Sequence, residues 1–544
     1  RNNILTLTCL ASIATAESVV NTGNSEDSPI NVREEFAKIF KSCYHIRIAA
    51  KTNKRNKQHG KVIKDILSRM NILYNGIIER ITKDAKTDEI ATLAQAYLYL
   101  FDIRIAETDN KETTFAEDAI TKCIELLKGR EPDQKFILTA LSAYSSLGIL
   151  YHKQNNEELS LSAFNEAFQF YLAYTDEGET YPAPFYIAPH FGLKRLDPID
   201  LLEKRGALVM DALLKGHASL GTHVATNRVY TDKIARCQHK LLSKRFDSLS
   251  PTADCATWTL MVESLSEYFI THNRFTEARD HLAAASFMMK KFYENQYVTT
   301  DGRKNPTEKR SIDQQYQQAS ADIAKYWTKY GIQLLRSSQE RILHGTAKEL
   351  CEVCNSTSLF PAKSKEESNK LLIFDNVREN LKEFTATITD SYLLSYTDAS
   401  ILFETVMKYL DEEKAYYTFE KSPMTYLSII LNISRVHKLF ACYVSGTNKL
   451  ESYKQRLQIL LTTLKKIHPN GDFNIWPVVI ETVICTNDVF DVMYESSRLQ
   501  FDPSKESGQS TDEPADKSNS EMLTILSEVL KSIIILRSNL YASK

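Results

Sequence analysis

Between Leu141 and Ala167 small and large residues follow one another in the order that two closely packed helices of one hairpin need. Leu147, Gly148 and Tyr151 share a face of a first helix, and Ser160, Phe164 and Ala167 share a face of a second. Gly148 lets the helices approach. Ser160 and Ala167 leave room for a neighbouring hairpin, and Tyr151 and Phe164 fill the gap. Such a unit cannot bury its apolar face alone, so it predicts stacked neighbours and a concave surface suited to holding another protein.

The order is that of the L-G-x-x-Y … A-x-x-x-F pattern of the 34-residue tetratricopeptide repeat, with Ser160 at the first small site. A second copy places Leu265, Ser266 and Phe269 on a first helix and Ala278, Leu282 and Ala285 on a second, opened by Arg274-Phe275-Thr276-Glu277. Leu220-Gly221 and Val224 suggest a third, whose second helix (Asp232 to Leu242) carries Lys233 and Lys240 where small residues belong. Ala116, Ile120 and Cys123 suggest a fourth, after the polar loop Thr108 to Thr114. The expected fold is all-α: a tetratricopeptide-like, right-handed α-solenoid of helical hairpins.

Composition agrees with nearly all helix. Gly is 16 of 544 residues and Pro 14, against an average Gly content of about 7%. No turn signal sits between alternating apolar runs, so no sheet is expected. With 67 basic and 69 acidic residues the net charge is −2, which gives no basic face for a nucleic acid. The one basic run, Lys51 to Lys61, reads as a solvated linker. No apolar stretch reaches the ~18 residues of a membrane span.

Nine cysteines lie scattered, mostly on apolar faces where reduced Cys acts as a small hydrophobe, which favours a reducing compartment. Cys351-Glu-Val-Cys354 lacks two further zinc ligands at compatible spacing, and His344 is a poor candidate. His217 and His223 have no acidic or Cys neighbour at ligand spacing, and the glycine-rich and histidine motifs of common enzymes are missing. Neither an enzyme nor a cofactor or metal is expected. Ile4 to Ala16, ending Ala14-Thr15-Ala16, has the outline of a signal peptide, but Thr6, Thr8, Ser12 and Thr15 dilute it.

The expected organisation is a disordered or extraneous segment over 1–30, an N-terminal repeat subdomain over 31–310, a linker helix over 311–348 and a C-terminal helical subdomain over 349–500. A polar, flexible loop over 501–521 and a closing helix over 522–544 follow. Gly178 to Pro198, rich in Pro, Gly and Tyr, reads as a long ordered loop. The linker helix is read from Tyr316, Ala319, Ile323, Tyr326, Tyr330 and Leu334 at three- and four-residue steps.

Four stretches in order resemble the kinesin-binding protein family: Ser146 to Leu150, Trp258 to Phe287, Ile323-Ala-Lys-Tyr-Trp327 with Lys329-Tyr330, and Asp398 to Phe403. The similarity runs from about Asn31 to Leu499. It implies a cytoplasmic, cytoskeleton-associated inhibitor without catalytic activity. Such a protein holds a kinesin motor domain in its concave groove, keeps the motor off microtubules, and so affects microtubule-based transport and axon growth. Carried across Leu220-Gly221 and Leu265-Ser266, the family's groove contacts fall on Ser219, Thr222 and Ser264, with another near Lys244. Ser219 and Thr222 stand where the family carries Tyr and Gln.

First-helix positions that line such a groove include Lys215, Ala218, Thr222, Leu260, Glu263 and Glu267. Glu263 and Glu267, spaced i, i+4, point the same way. An acidic pair there can imitate tubulin toward a motor's basic face, or simply stand solvated. The alternative function is a repeat adaptor for another partner, either a chaperone-type co-factor or a subunit of a larger assembly. A chaperone clamp needs Lys and Asn on first helices, whereas the best hairpin offers Ser145 and Ile149.

Overall fold

The computed structural model describes residues 31–51, 58–79, 86–107, 114–175, 181–193, 195–219, 225–246, 253–295, 306–343, 371–445, 447–467, 474–500 and 513–542. Regular structure among the described residues is entirely helical, in seventeen α-helices and three 3-10 turns. The chain divides into two compact units between Leu249 and Ser250.

The first unit is four hairpins: α1 (Glu34–Lys51) with α2 (Gln58–Ile78), α3 (Thr87–Glu107) with α4 (Thr114–Leu127), α5 (Ile137–Lys153) with α6 (Glu157–Thr175), and α7 (Pro198–Ser219) with α8 (Ala225–Phe246). Each first helix packs on the first helix of the next hairpin, and each second helix packs on the first helix that follows it. This nearest-neighbour stacking is that of a helical solenoid. Phe36, Phe40, Tyr97 and Phe136 are fully buried in its core, and so are the fourth-copy residues Ala116, Ile120 and Cys123 on α4. The Pro- and Tyr-rich stretch after α6 is tied down: the Phe185 N–H donates to the Gln134 carbonyl (2.9 Å), and Phe191 stacks near Phe40 at 4.7 Å.

The α5/α6 hairpin is built as its sequence predicts. A Cβ on Gly148 would stand 2.7 Å from the Phe164 ring, so only glycine permits this approach. Ser160 takes the small site and adds a bond that Ala lacks, its hydroxyl donating to the Gly148 carbonyl at 2.8 Å. α5 ends on Asn155 in the left-handed region (φ 59), and the Asn156 N–H bonds back to the Tyr151 carbonyl at 2.9 Å. Asn is among the few side chains that adopt this conformation readily, which makes it a natural helix terminator.

The second unit opens with α9 (Ala253–Thr271) and α10 (Phe275–Tyr293). Its turn repeats that of α5/α6: Asn273 has φ 57 and the Arg274 N–H bonds the Phe269 carbonyl at 2.9 Å. Leu265, Ser266, Phe269, Ala278, Leu282 and Ala285 are fully buried.

The long helix, α11 (Pro306–Leu343), starts a few residues before its expected limit, with Pro306 in its first turn, and residues 344–348 lie outside the described residues. It lies inside the second unit, as the first helix of a hairpin whose second helix is α13 (Tyr396–Tyr416). The short α12 (Arg378–Thr385) stands between them in sequence and packs on α10. Just before α12, Phe374 inserts beside Trp258 (5.7 Å) and His281 (4.9 Å), and its N–H donates to Asp280 at 2.7 Å. Two more hairpins follow, α14 (Pro423–Phe440) with α15 (Thr447–Lys466) and α16 (Trp476–Gln500) with α17 (Glu513–Ala542). α17 begins inside the expected loop over 501–521, because Pro514 and Asp516 are good first-turn residues.

Candidate functional site

In the first unit the residues expected on a groove gather at the end of α7 and along α8. Ser219 is the exposed last residue of α7, its hydroxyl donating to the Lys215 carbonyl at 3.1 Å. Lys215 pairs with the buried Asp211 at 2.8 Å. Thr222 lies outside the described residues, as do Leu220, Gly221, Val224 and His223. The hairpin described at this place is α7/α8, whose second helix holds the expected stretch from Asp232 to Leu242. Its close-approach glycine is Gly206, where a Cβ would overlap the Tyr171 ring.

Lys244 sits on α8, exposed, with its ammonium 2.8 Å from the Glu203 carboxylate of α7. The Tyr181 hydroxyl donates to the same Glu203 oxygen at 2.9 Å, and the Tyr181 ring lies 5.4 Å from Lys244 Nζ. Burial, then the Glu203 charge, raises the pKa of the Tyr181 hydroxyl, so it stays a donor. Lys244 thus belongs to a formed cluster of Lys, Glu and Tyr. Sequence reading missed Glu203 and Tyr181, which contact it from 41 and 63 residues away and follow no local spacing.

In the second unit the expected residues lie on α9. Ala256, Thr257, Leu260 and Glu267 are its partly open positions. The Glu263–Glu267 pair is not the open acidic face that an i, i+4 spacing suggests. Glu263 is 1% exposed. Glu267 remains partly open, but its carboxylate meets Lys329 of α11 at 2.5 Å. The helical spacing puts both acids on one side of α9 correctly, but that side is covered by α11, which runs parallel to α9 in the unit. Asn273 confirms the register further along, bonding both Gln333 (3.0 Å) and Ser337 (2.9 Å). Ser264 is buried as well, and its hydroxyl meets no hydrogen-bond acceptor or donor among the described residues. The same holds for Thr259, one turn before Glu263.

No group of three or more His, Cys, Asp or Glu side chains among the described residues can hold a metal ion. Cys351, Cys354 and His344 lie outside the described residues. His217 stands edge-on to Tyr230 at 5.9 Å, and burial lowers its pKa, as befits a packing residue. The described cysteines form no disulfide with one another; Cys43, Cys123, Cys255 and Cys485 are buried, and burial pushes Cys43 and Cys485 up to about 12. No described helix is long and apolar enough to cross a membrane. What the two faces offer is helix surface with scattered polar groups, chemistry suited to recognising another protein.

A family model described as KIF-1 binding protein C terminal matches residues 256–518, from α9 into α17. Relatives named KIF-binding protein align along both units. That of Drosophila melanogaster is 24% identical over 368 residues, 66% of this chain and 58% of the relative. That of Gallus gallus is 23% identical over 390 residues, 68% of this chain and 61% of the relative. That of Homo sapiens is 20% identical over 392 residues, 68% of this chain and 59% of the relative. The alignments thus span about three fifths of these relatives' length. Among solved structures, a circular tandem repeat protein with novel repeat topology matches at 10% identity over 94% of this chain and 96% of its own. Its TM-score is 0.17, too low to bear on the arrangement of the helices. By its sequence the chain is similar to the KIF-binding proteins, and its residues 256–518 match the model of that family's C-terminal region.

Proposed function

We propose that this chain is a non-enzymatic binding protein for kinesin motor domains. The match of residues 256–518 to the KIF-1 binding protein C terminal carries the reading. Stacked hairpins in each unit support it, because this architecture binds proteins through helix faces rather than through an enclosed pocket. The surfaces we assign to the motor are, in the first unit, the end of α7 with Ser219 and the Lys244 cluster of α8, and, in the second unit, the partly open line of α9 from Leu260 to Glu267. Glu263 and Ser264 act from beneath that line, holding α9 in place. Glu267 is the one acid of the original pair with access to a partner, and it must exchange Lys329 for a motor side chain to do so. Recognition therefore rests on shape and mixed polar contacts more than on imitation of acidic tubulin.

In this reading the bound motor is kept off microtubules, and the protein acts in the cytoplasm at the cytoskeleton on microtubule-based transport and axon growth. Co-sedimentation tests it. Kinesin motor domains from different subfamilies are mixed with microtubules in a non-hydrolysable nucleotide, with and without the full chain. The expected result is transfer of at least one motor from pellet to supernatant in proportion to added chain. If every motor stays with the microtubules at saturating chain, the reading is wrong.

A further inference from the structure

The crossing of α11 and α13 brings together the buried Glu413 and the half-buried Asp322. Here α11 and α13 run antiparallel. Gly331 of α11 faces Val406 of α13 with no room for a Cβ, and Trp327 stacks on Tyr409 at 5.7 Å with the rings 9° apart. Further along the same crossing, Thr328 donates its hydroxyl proton to Glu413 at 2.6 Å. At its end the Tyr417 hydroxyl donates to Asp322 at 2.6 Å. Two carboxylates, one from each helix, thus tie the pair together through hydroxyls.

Glu413 is 1% exposed, and neither it nor Asp322 forms an ion pair among the described residues. Charged and titratable groups surround them on several helices. α11 contributes Lys325, whose charge favours both carboxylates, and Lys329, which is bound to Glu267 of α9. α13 contributes Glu412, itself near Lys408, and Tyr409 and Tyr416. α9 adds the negative charge of Glu263 beside Tyr417. On α14, Tyr426 stands edge-on to Phe419 at 5.8 Å, just past the end of α13, and His437 packs on Phe403 at 5.1 Å, more than two turns from Glu413 along α13. A buried carboxylate with one hydroxyl donor and a second acid nearby holds its proton more firmly than an exposed one.

We propose that the α11–α13 junction is a proton-set clasp: while Glu413 carries its proton the two helices close as described, and its loss loosens α13 and the α9 line that α11 supports. Burial pushes the Glu413 carboxyl up to about 7, with Asp322 raising it further and Thr328 and Lys325 opposing; burial raises Asp322 also. The folded chain then holds more protons than the unfolded chain between the ordinary glutamate range and about 7. Its stability falls as pH rises through that window and levels off above it.

The test is thermal unfolding and amide exchange of the full chain at about pH 6 and about pH 8, for the wild type and Glu413→Gln. The glutamine keeps the bond from Thr328 but carries no charge. The wild type is expected to melt several degrees lower at the higher pH, with α13 amides exchanging faster after correction for intrinsic rates. Glu413→Gln is expected to lose at least half of that drop and to melt above the wild type at about pH 8. Asp280, which burial raises to about 6, contributes to the melting slope in the same direction. Asp280→Asn is therefore expected to flatten the slope in part while leaving the pH response of α13 exchange intact. An unchanged slope and unchanged α13 exchange in Glu413→Gln would overturn the proposal, and so would an α13 response abolished by Asp280→Asn alone.

Discussion

Arg456 and Glu413 are both buried charged residues of the second unit, 0% and 1% exposed, and they show opposite ways of placing a charge inside a helical stack. Arg456 on α15 is surrounded by acceptors. Its guanidinium bonds Glu481 (2.6 Å) and Asp488 (2.5 Å) on α16 and the Ser434 hydroxyl oxygen (2.7 Å) on α14. Glu413 has a single hydroxyl donor. Burial raises the carboxyl pKa of Glu481 and Glu413 alike, but Arg456 and Ser434 pull Glu481 below the ordinary range, while Glu413 stays up at about 7. The first arrangement fixes three helices to one another at any pH near neutrality. The second holds two helices conditionally. What separates them is the sign and number of partners, not the depth of burial.

The largest effect that sharpens this contrast is loss of the arginine. Arg456→Met fills similar space but strands Glu481 and Asp488, with Lys438 (3.2 Å from Asp488) as the remaining cation among the described residues. The expected cost is about 3–5 kcal/mol, read as a lowered urea midpoint for the second unit. Adding Glu481→Gln and Asp488→Asn to the same chain should recover much of it, because no charge is then left uncompensated. A single variant as stable as the wild type would show that the arginine network is incidental, and the contrast with Glu413 would dissolve.

A smaller effect probes one arm of that network. Ser434 accepts from Arg456 and donates to Glu481 (2.7 Å), so it relays between two charged groups while itself buried. Ser434→Ala removes both bonds and leaves the ion pairs. The expected loss is about 1–2 kcal/mol by denaturant unfolding. It should not depend on pH between about 6 and 8, where the Glu413 clasp does.

How much of this was legible in the sequence follows from range. The α5/α6 and α9/α10 hairpins were readable because their determinants, Gly148 against Phe164 and Ala278 and Ala285 on the facing helix, sit within one short repeat. The matching Asn155 and Asn273 turns give both hairpins the same ending. At α7/α8 the expected second helix from Asp232 to Leu242 lies within α8, while Leu220-Gly221 falls outside the described residues; the close contact of this hairpin is made by Gly206 against Tyr171, a residue of the preceding hairpin that no local spacing reveals. The α11/α13 hairpin could not be read as one at all. Its halves are separated by residues 344–395, and a helix as long as α11 looks by itself like a connector. At the candidate site the helical period put Glu263 and Glu267 on one side of α9 but could not say that α11 covers that side. Lys329 pairs with Glu267 across 62 residues, and only the stacking order brings them together.

The Glu267–Lys329 pair supplies the weakest and last test. Both side chains are about one third exposed, so water screens the 2.5 Å contact, and Lys329 also rests 4.7 Å from the Tyr326 ring. Lys329→Met keeps the aliphatic stem against that ring and removes only the charge. The expected change in stability is about 0.2–1 kcal/mol, shrinking as salt is raised. The same substitution frees Glu267 for an incoming cation. If Glu267 exchanges Lys329 for a cationic side chain of the motor, Lys329→Met should speed association and steepen its salt dependence, whereas Glu267→Gln should do neither. A loss of several kcal/mol in Lys329→Met would mean that this pair is buried in effect, belonging with Arg456 rather than at the open edge of α9.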